Sequence, residues 1–286
     1  MKTLAVVANC GKARSRDVLS RLAGKAGELG LEVLAEGEPA EMLGCRLDCT
    51  RAGILERADA VIALGGDGTV LRAARELGGA DIPILGVNIG GLGFLTSVSE
   101  ADLDRALQCL AGDDFFTSAR SVADCSVSGG TCAKAEYRAL NEIVVESGNQ
   151  RIISLDVSVN AEPVTSYVCD GLIISTPTGS TGHSLSAGGP ILAPEAAAFV
   201  ISLICPHTLS SRPLVVPDSG EISVRLTDSS GEAVLSADGQ VSCTLEMGAE
   251  VTVKRSPADV RFIHLPGSSF YSVLRQKLHW RGSSLG

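Results

Sequence analysis

Over the first 115 residues short β-rich runs alternate with segments of helical period, an order that suits a parallel sheet flanked by helices and little else. Thr3 to Ala8 reads as a buried strand. Ser15 to Leu29 reads as a helix whose Val18, Leu19, Leu22, Ala23, Ala26 and Leu29 form one apolar stripe. Ala60 to Leu64 and Ile82 to Val87 are further strands, while Val70, Leu71, Ala74, Leu77 and then Leu103, Ala106, Leu107, Leu110 mark two more helices. From about Arg120 the texture turns to short alternating runs: Ile152 to Val159, Gly171 to Thr176, Glu221 to Leu226, Val234 to Ala237 and Val241 to Leu245. Ser269 to Leu278 returns to helical spacing through Phe270, Val273, Leu274 and Leu278. The expectation is an α/β N-terminal domain with an open parallel sheet over 1–115 and a β-rich C-terminal domain over 116–266. A C-terminal helix over 267–286 is expected to pack back on the first domain.

The 286 residues, 45% of them hydrophobic, are enough for one large or two modest cores. Asp and Glu total 33 against 24 Lys and Arg, and a formal charge of −9 leaves no basic field for nucleic acid or an anionic membrane. A phosphate ligand is therefore expected to be held by backbone amides and metal. The nine cysteines, odd in number, contain no Cys-x-x-Cys pair and no Cys/His grouping, and no two of the four histidines have ligand spacing. The cysteines read as small buried hydrophobes in a reducing compartment. Leu4 to Ala8 falls short of the roughly 7 apolar residues of a signal-peptide core, and no run approaches the roughly 18 of a membrane span. A soluble cytoplasmic protein is expected.

Gly65-Gly66-Asp67-Gly68-Thr69 lies between a strand and a helix. Glycines there let a ligand approach the main chain, and a helix N-terminus aims free N–H groups at it, which suits phosphate. Asp67, placed in the bend rather than on the helix, is positioned to accept or orient a hydroxyl proton. No Gly-x-x-x-x-Gly-Lys-Ser/Thr is present, and Gly91-Leu92-Gly93 ends in Thr96 where a dehydrogenase fingerprint needs its third glycine. A second dense segment runs from Asp170 to Pro190, an apolar strand followed by about fifteen small, hydroxylated or glycine residues. It reads as a loop built to wrap a polar ligand. Thr178 stands where a Gly-x-Ser-x-Gly nucleophile motif requires glycine, so Ser180 is not a hydrolase serine. Asn141-Glu142 opens a strand and offers an amide and a carboxylate, and Ala237-Asp238-Gly239-Gln240 reads as a hairpin turn.

Together the Gly65–Thr69 turn, Asn141-Glu142, Asp170-Gly171 and the run from Ser175 to Pro190 resemble NAD kinases, and the likeness extends to Pro206–Leu214. The glycine turn alone is shared with diacylglycerol, sphingosine and sugar kinases; the hydroxyl loop makes the resemblance specific. It implies transfer of the γ-phosphoryl of ATP, or of polyphosphate, to the 2′-hydroxyl of the adenosine ribose of NAD. By position Asp67 corresponds to the family's proton acceptor and Gly68 to its neighbour at the ribose. Asn141 and Glu142 match the pair that holds the dinucleotide. Arg151, Asp170, Thr181, Gly182, His183, Ser184, Leu185, Ser186 and Gln240 fall where members contact NAD, with Thr178 counted at the head of the loop. Arg72 and Arg75 are the only basic side chains between Ala58 and Ser97, so Mg²⁺ carried by ATP is expected to supply the remaining charge, and the resemblance implies a homodimer or homotetramer. Two departures stand out: Thr181-Gly182-His183 replaces the Thr-Ala-Tyr of most bacterial members, and Val168 replaces an arginine common two residues before Asp170. The competing readings are a lipid or sugar kinase of the same superfamily, an NAD-dependent dehydrogenase using Gly91-x-Gly93, and a non-catalytic NAD-binding sensor.

Overall fold

Alternation dominates the packing of the first sheet: Leu4, Val6 and Ala8 of the opening strand, and Ile62 and Leu64 of a neighbour, all face one apolar layer. The computed structural model describes residues 1–44, 51–91, 93–129, 135–148, 152–229 and 231–280. In chain order the elements begin β1 (Thr3–Ala8), α1 (Ser15–Glu28), β2 (Glu32–Ala35), α2 (Glu38–Leu43), α3 (Arg51–Arg57) and β3 (Ala60–Gly65). They continue α4 (Asp67–Leu77), β4 (Ile84–Asn88), β5 (Val98–Ser99), α5 (Leu103–Ala111) and β6 (Phe116–Arg120). Next come β7 (Ala123–Ser128), β8 (Ala135–Ala139), β9 (Glu142–Ser147), β10 (Ile153–Val159), β11 (Glu162–Cys169), β12 (Gly171–Ser175) and α6 (His183–Ser186). β13 (Ala198–Ile204), β14 (Leu214–Pro217), β15 (Ile222–Ser229), β16 (Ala233–Ala237), β17 (Val241–Leu245) and β18 (Glu250–Arg255) follow, then β19 (Val260–His264) and α7 (Phe270–Lys277).

The chain divides into two units, Met1–Ala119 with the chain from Val260 onward, and Arg120–Asp259. The first holds a sheet in the order β2-β1-β3-β4-β19-β6, with β5 beside β4, and β1, β2, β3, β4 and β19 pair in parallel. Helices α1 and α5 cover one face, where Leu19 and Leu22 meet Leu103, Leu107 and Leu110. Helix α4 packs against β1, β3 and β4. Residues on the strand face opposite the apolar layer include Ala5, Ala63 and Gly86, small enough for a helix to approach closely. A β-carbon at Gly86 would lie 3.2 Å from Val70 Cγ2 and 2.6 Å from the Leu95 carbonyl. Strand order reverses at β1, which has β2 on one side and β3 on the other, so the carboxyl ends of β1 and β3 form a ligand-accepting crevice.

Strand β19 joins this sheet although periodicity had not singled it out, because its partner β4 is far away in the chain. Helix α7 belongs to the same unit, and the Lys277 ammonium lies 5.7 Å from the centre of the Phe94 ring. Of its expected apolar stripe only Leu274 is buried; Phe270, Val273 and Leu278 are half-covered.

The second unit is a sandwich of two antiparallel six-stranded sheets, β11-β10-β15-β18-β7-β8 and β14-β13-β12-β9-β16-β17. Inward residues of both, among them Leu155, Val224 and Val253 on one and Val145, Leu172 and Phe199 on the other, form a single core. Alternation then puts Glu142 of β9 and Ser175 of β12 on the opposite face of the second sheet. The cysteines do not all behave as buried hydrophobes. Burial pushes the Cys125 thiol up to about 12 and the Cys169 thiol up to about 11, whereas Cys205 is exposed.

Candidate active site

In the first unit β3 ends at Gly65 and α4 begins at once with Asp67, so this carboxylate stands in the first turn of the helix and not in the bend before it. Gly65 is required by close approach: a β-carbon there would fall 2.1 Å from Thr69 Oγ1. The Asp67 carboxylate accepts the amide of Phe94 through Oδ2 at 2.9 Å and that of Leu95 through Oδ1 at 3.0 Å. Two charge-assisted bonds from the main chain fix its orientation and leave lone pairs for a further donor. Gly93 makes the clamp possible, since its β-carbon would sit 1.9 Å from Asp67 Oδ1. Thr96 closes the same loop by accepting from Gly93 N and from Asn88 Nδ2, each at 3.0 Å.

The Gly91-x-Gly93 stretch is thus a carboxylate clamp. No helix follows it before Leu103 apart from a single 3₁₀ turn, so it lacks the helix N-terminus that a dinucleotide fingerprint uses; Leu92 lies outside the described residues.

The turn carries a cation that sequence reasoning missed. Lys12, in the loop after β1, donates from Nζ to the carbonyl of Gly65 at 3.3 Å and to that of Ile89. A lysine side chain therefore stands beside the turn, a cation that the expectation of amides and metal alone had not included. Arg72 of α4 is also engaged, donating to the Ala8 carbonyl at 2.7 Å. A cavity of about 500 Å³ opens beside it, lined by Asn9 to Gly11, Glu36 to Pro39, Arg51 and Glu76 among others.

In the second unit Asn141 and Glu142 form a corner at the start of β9. The following loop is stitched to it: Thr176 N donates to Asn141 O at 2.8 Å, and Thr176 Oγ1 to Leu140 O at 2.6 Å. Gly179 packs so tightly that a β-carbon would stand 2.2 Å from Asn141 O. Gly182 lies over the corner, its β-carbon position 3.3 Å from Glu142 Oε2 and 3.8 Å from Asn141 Nδ2. Among the described residues, Asn141 Oδ1, Glu142 Oε2 and Thr178 Oγ1 are buried with no hydrogen-bond partner. Three unpaired oxygens in one region are costly unless something donates to them. Burial first, and the Asp238 carboxylate second, push Glu142 up to about 7.

The hydroxyl loop is less open to a ligand than its composition suggests. Ser180 bonds Pro177 O at 2.6 Å, Thr181 bonds Thr178 O at 3.2 Å, and Ser184, fully buried, pairs with Ser202 at 3.1 Å. Most of its hydroxyls hold the loop in shape, whereas Thr178 Oγ1 is buried with no partner among the described residues. Gly182 and Leu185 are half-exposed, and His183 and Ser186 are exposed. Asp170, half-exposed, accepts from the Cys205 thiol and holds that thiol above its ordinary pKa. Gln240 closes the β16–β17 hairpin, its amide on the Ala237 carbonyl at 3.0 Å, and Gly68 is exposed on the first turn of α4. Arg151 lies outside the described residues. Among those residues no three His, Cys, Asp or Glu side chains gather to hold a metal.

An α/β unit with a phosphate-suited turn is followed in the chain by a β-sandwich with an acceptor-rich corner, and two family profiles identify the class as a nucleotide-dependent phosphotransferase. The ATP-NAD kinase N-terminal domain profile matches residues 5–115 and the ATP-NAD kinase C-terminal domain profile matches residues 140–265. The chain belongs to the NAD kinase family. It is 47% identical to the NAD kinase of Gemmatimonas aurantiaca over 228 residues, 79% of each chain. It is 40% identical to that of Geobacter metallireducens over 281 residues, covering 98% of this chain and 99% of the other. An NAD kinase from Archaeoglobus fulgidus, solved in complex with ATP, superimposes with a TM-score of 0.74 at 27% identity, covering 97% of each chain. Yeast NADH kinase, complexed with NADH, shares the fold with a TM-score of 0.90 at 23% identity, over 99% of this chain and 89% of that one.

Proposed function

We propose that this chain phosphorylates the 2′-hydroxyl of the adenosine ribose of NAD with the γ-phosphoryl of ATP, releasing NADP and ADP. The observation that carries the reading lies in the second unit, where Asn141, Glu142 and Thr178 hold unpartnered oxygens; the first unit contributes, by itself, an amide-clamped Asp67. Those oxygens call for a ligand rich in donors, and ribose hydroxyls and the adenine amino group are donors. The dinucleotide sits at this corner, under Gly182 and His183, with Asp170, Gln240 and Arg151 as further contacts.

Asp67 orients the 2′-hydroxyl and takes its proton. A carboxylate is too weak a base to generate a full alkoxide in the ground state, so the proton moves late, while the phosphoryl group is already loose. The O2′–P bond forms as the bond from Pγ to the ADP oxygen breaks, and the proton on Asp67 passes to solvent. In-line placement and charge neutralisation supply the larger share of the acceleration. Lys12 and the first amides of α4 take the donor phosphates, and the cavity beside Arg72 takes the donor nucleoside, with Glu36 and Glu38 available to its ribose hydroxyls. Mg²⁺ would arrive on ATP, held by phosphate oxygens and water. When bound, that ion would neutralise charge on the γ-phosphate.

Polyphosphate is the alternative donor. The enzyme works in the cytoplasm as a homodimer or homotetramer; exposed Val164 and Val168 on the edge strand β11, and exposed Leu209, suit a surface covered by a second copy. No helix among the described residues is long and apolar enough to cross a membrane. Incubating the full chain with NAD and MgATP should yield NADP and ADP in equal amounts, with inorganic polyphosphate as a parallel donor. Failure to form NADP with either donor would overturn the assignment.

A further inference from the structure

The Asp238-Gly239 turn does more than reverse the chain. Both central residues have positive φ, +52° and +61°, as a type I′ hairpin requires, and Asp, Asn and Gly all suit such a turn. Nothing in the turn itself demands a carboxylate. Yet the Asp238 side chain reaches out of its own hairpin to the strand alongside. Its Oδ2 accepts the Leu140 amide at 2.9 Å, and its Oδ1 accepts those of Asn141 at 2.7 Å and Glu142 at 3.2 Å. The Asp238 amide in turn donates to the Glu142 carbonyl at 3.0 Å. Three successive amides of the corner thus converge on one carboxylate contributed by a residue almost a hundred positions away, and the same hairpin carries Gln240.

We infer that Asp238 is a positioning residue for dinucleotide recognition, holding the backbone of Leu140–Glu142 so that the Asn141 and Glu142 side chains meet the ligand in fixed geometry. The inference rests on the reading that the dinucleotide sits at this corner. Carbonyls of the corner hold the loop in turn, Leu140 O and Asn141 O accepting from Thr176. A shift at Asp238 would therefore be passed to Thr178 and Gly182 as well. Among strands flanking β9, β12 brings no charged side chain, whereas the β16–β17 hairpin brings Asp238, the charge that faces Glu142.

Asp238→Asn separates the two roles, because Asn-Gly is at least as good a type I′ turn as Asp-Gly but keeps one acceptor oxygen and loses the charge. The expected result is a rise of about tenfold in the NAD dissociation constant and in KM for NAD, while KM for ATP stays within twofold. The pH at which NAD affinity titrates should also move down, since the charge that helps hold Glu142 up is gone. Asp238→Ala should weaken NAD binding further. Asp218→Asn serves as a stability control, because Asp218 is a buried carboxylate of the same unit whose side chain accepts from Arg255 at 2.8 Å and not from the amides of Leu140–Glu142. NAD affinity within twofold of wild type in a folded Asp238→Asn protein would overturn the inference. So would parallel changes in both KM values, or the same NAD defect in Asp218→Asn. If wild type binds NAD but Asn141→Ala leaves that binding intact, it is the location of the dinucleotide site that fails, a separate result.

Discussion

The charged side chains at the glycine turn of the first unit already have partners, whereas the corner of the second unit leaves oxygens over. Asp67 accepts two amides and Lys12 donates to two carbonyls, so both are held in place before any ligand arrives. At the corner, the backbone is fixed by Asp238 while Asn141 Oδ1, Glu142 Oε2 and Thr178 Oγ1 remain buried and unpaired. A group that must act on a transferring phosphoryl gains from a fixed orientation, because each ångström of misplacement reduces rate steeply. A group that must select a ligand gains from unsatisfied hydrogen-bonding capacity, because only the right ligand relieves its desolvation.

The largest effect on NAD affinity is expected at Glu142. Removing its charge with Glu142→Gln should weaken NAD by about thirtyfold, the scale of one hydrogen bond to a charged group. The same change should stabilise the protein above neutral pH. In the folded chain Glu142 is held up at about 7 against an ordinary 4.5, so the native state binds its proton more tightly than the unfolded one. The contribution is fully favourable below pH 4.5 and is lost as pH rises to about 7, a difference on the order of 3 kcal/mol. Thermal melts from pH 4 to 8 check it: the wild-type slope should flatten in Glu142→Gln, and an unchanged slope would remove the recognition side of the comparison. Next in size, Lys12→Met should raise KM for ATP about tenfold and leave NAD affinity alone. A change in NAD affinity instead would break the division of labour. The smallest expected effect is at His183, exposed beside Gly182: His183→Tyr should tighten NAD by about 0.5–1.5 kcal/mol through a larger ring, measured by calorimetry.

Sequence periodicity carries far in this chain because most elements obey local rules. The stripe from Val18 to Ala26 and the buried strand from Thr3 to Ala8 fold as they read. Asp67, Asn141 and Glu142 were visible because turn and strand-start chemistry is local. Lys12 was not, because its partners Gly65 and Ile89 are 53 and 77 residues away and are backbone carbonyls with no side-chain signature. Asp238 looked like an ordinary turn residue for the same reason: its partners are amides on another strand. Gly93 resembled part of a weak fingerprint, whereas its missing side chain makes room for Asp67. The hydroxyl loop misled in the opposite sense, since composition records hydroxyl groups but not that Ser180 and Ser184 turn inward.

The most direct measurement compares binding and turnover in Asp67→Asn. With NAD and MgATP, the account predicts an unchanged dissociation constant for NAD and a rate of NADP formation lowered by at least about 100-fold. A folded Asp67→Asn protein that makes NADP near the wild-type rate would contradict it.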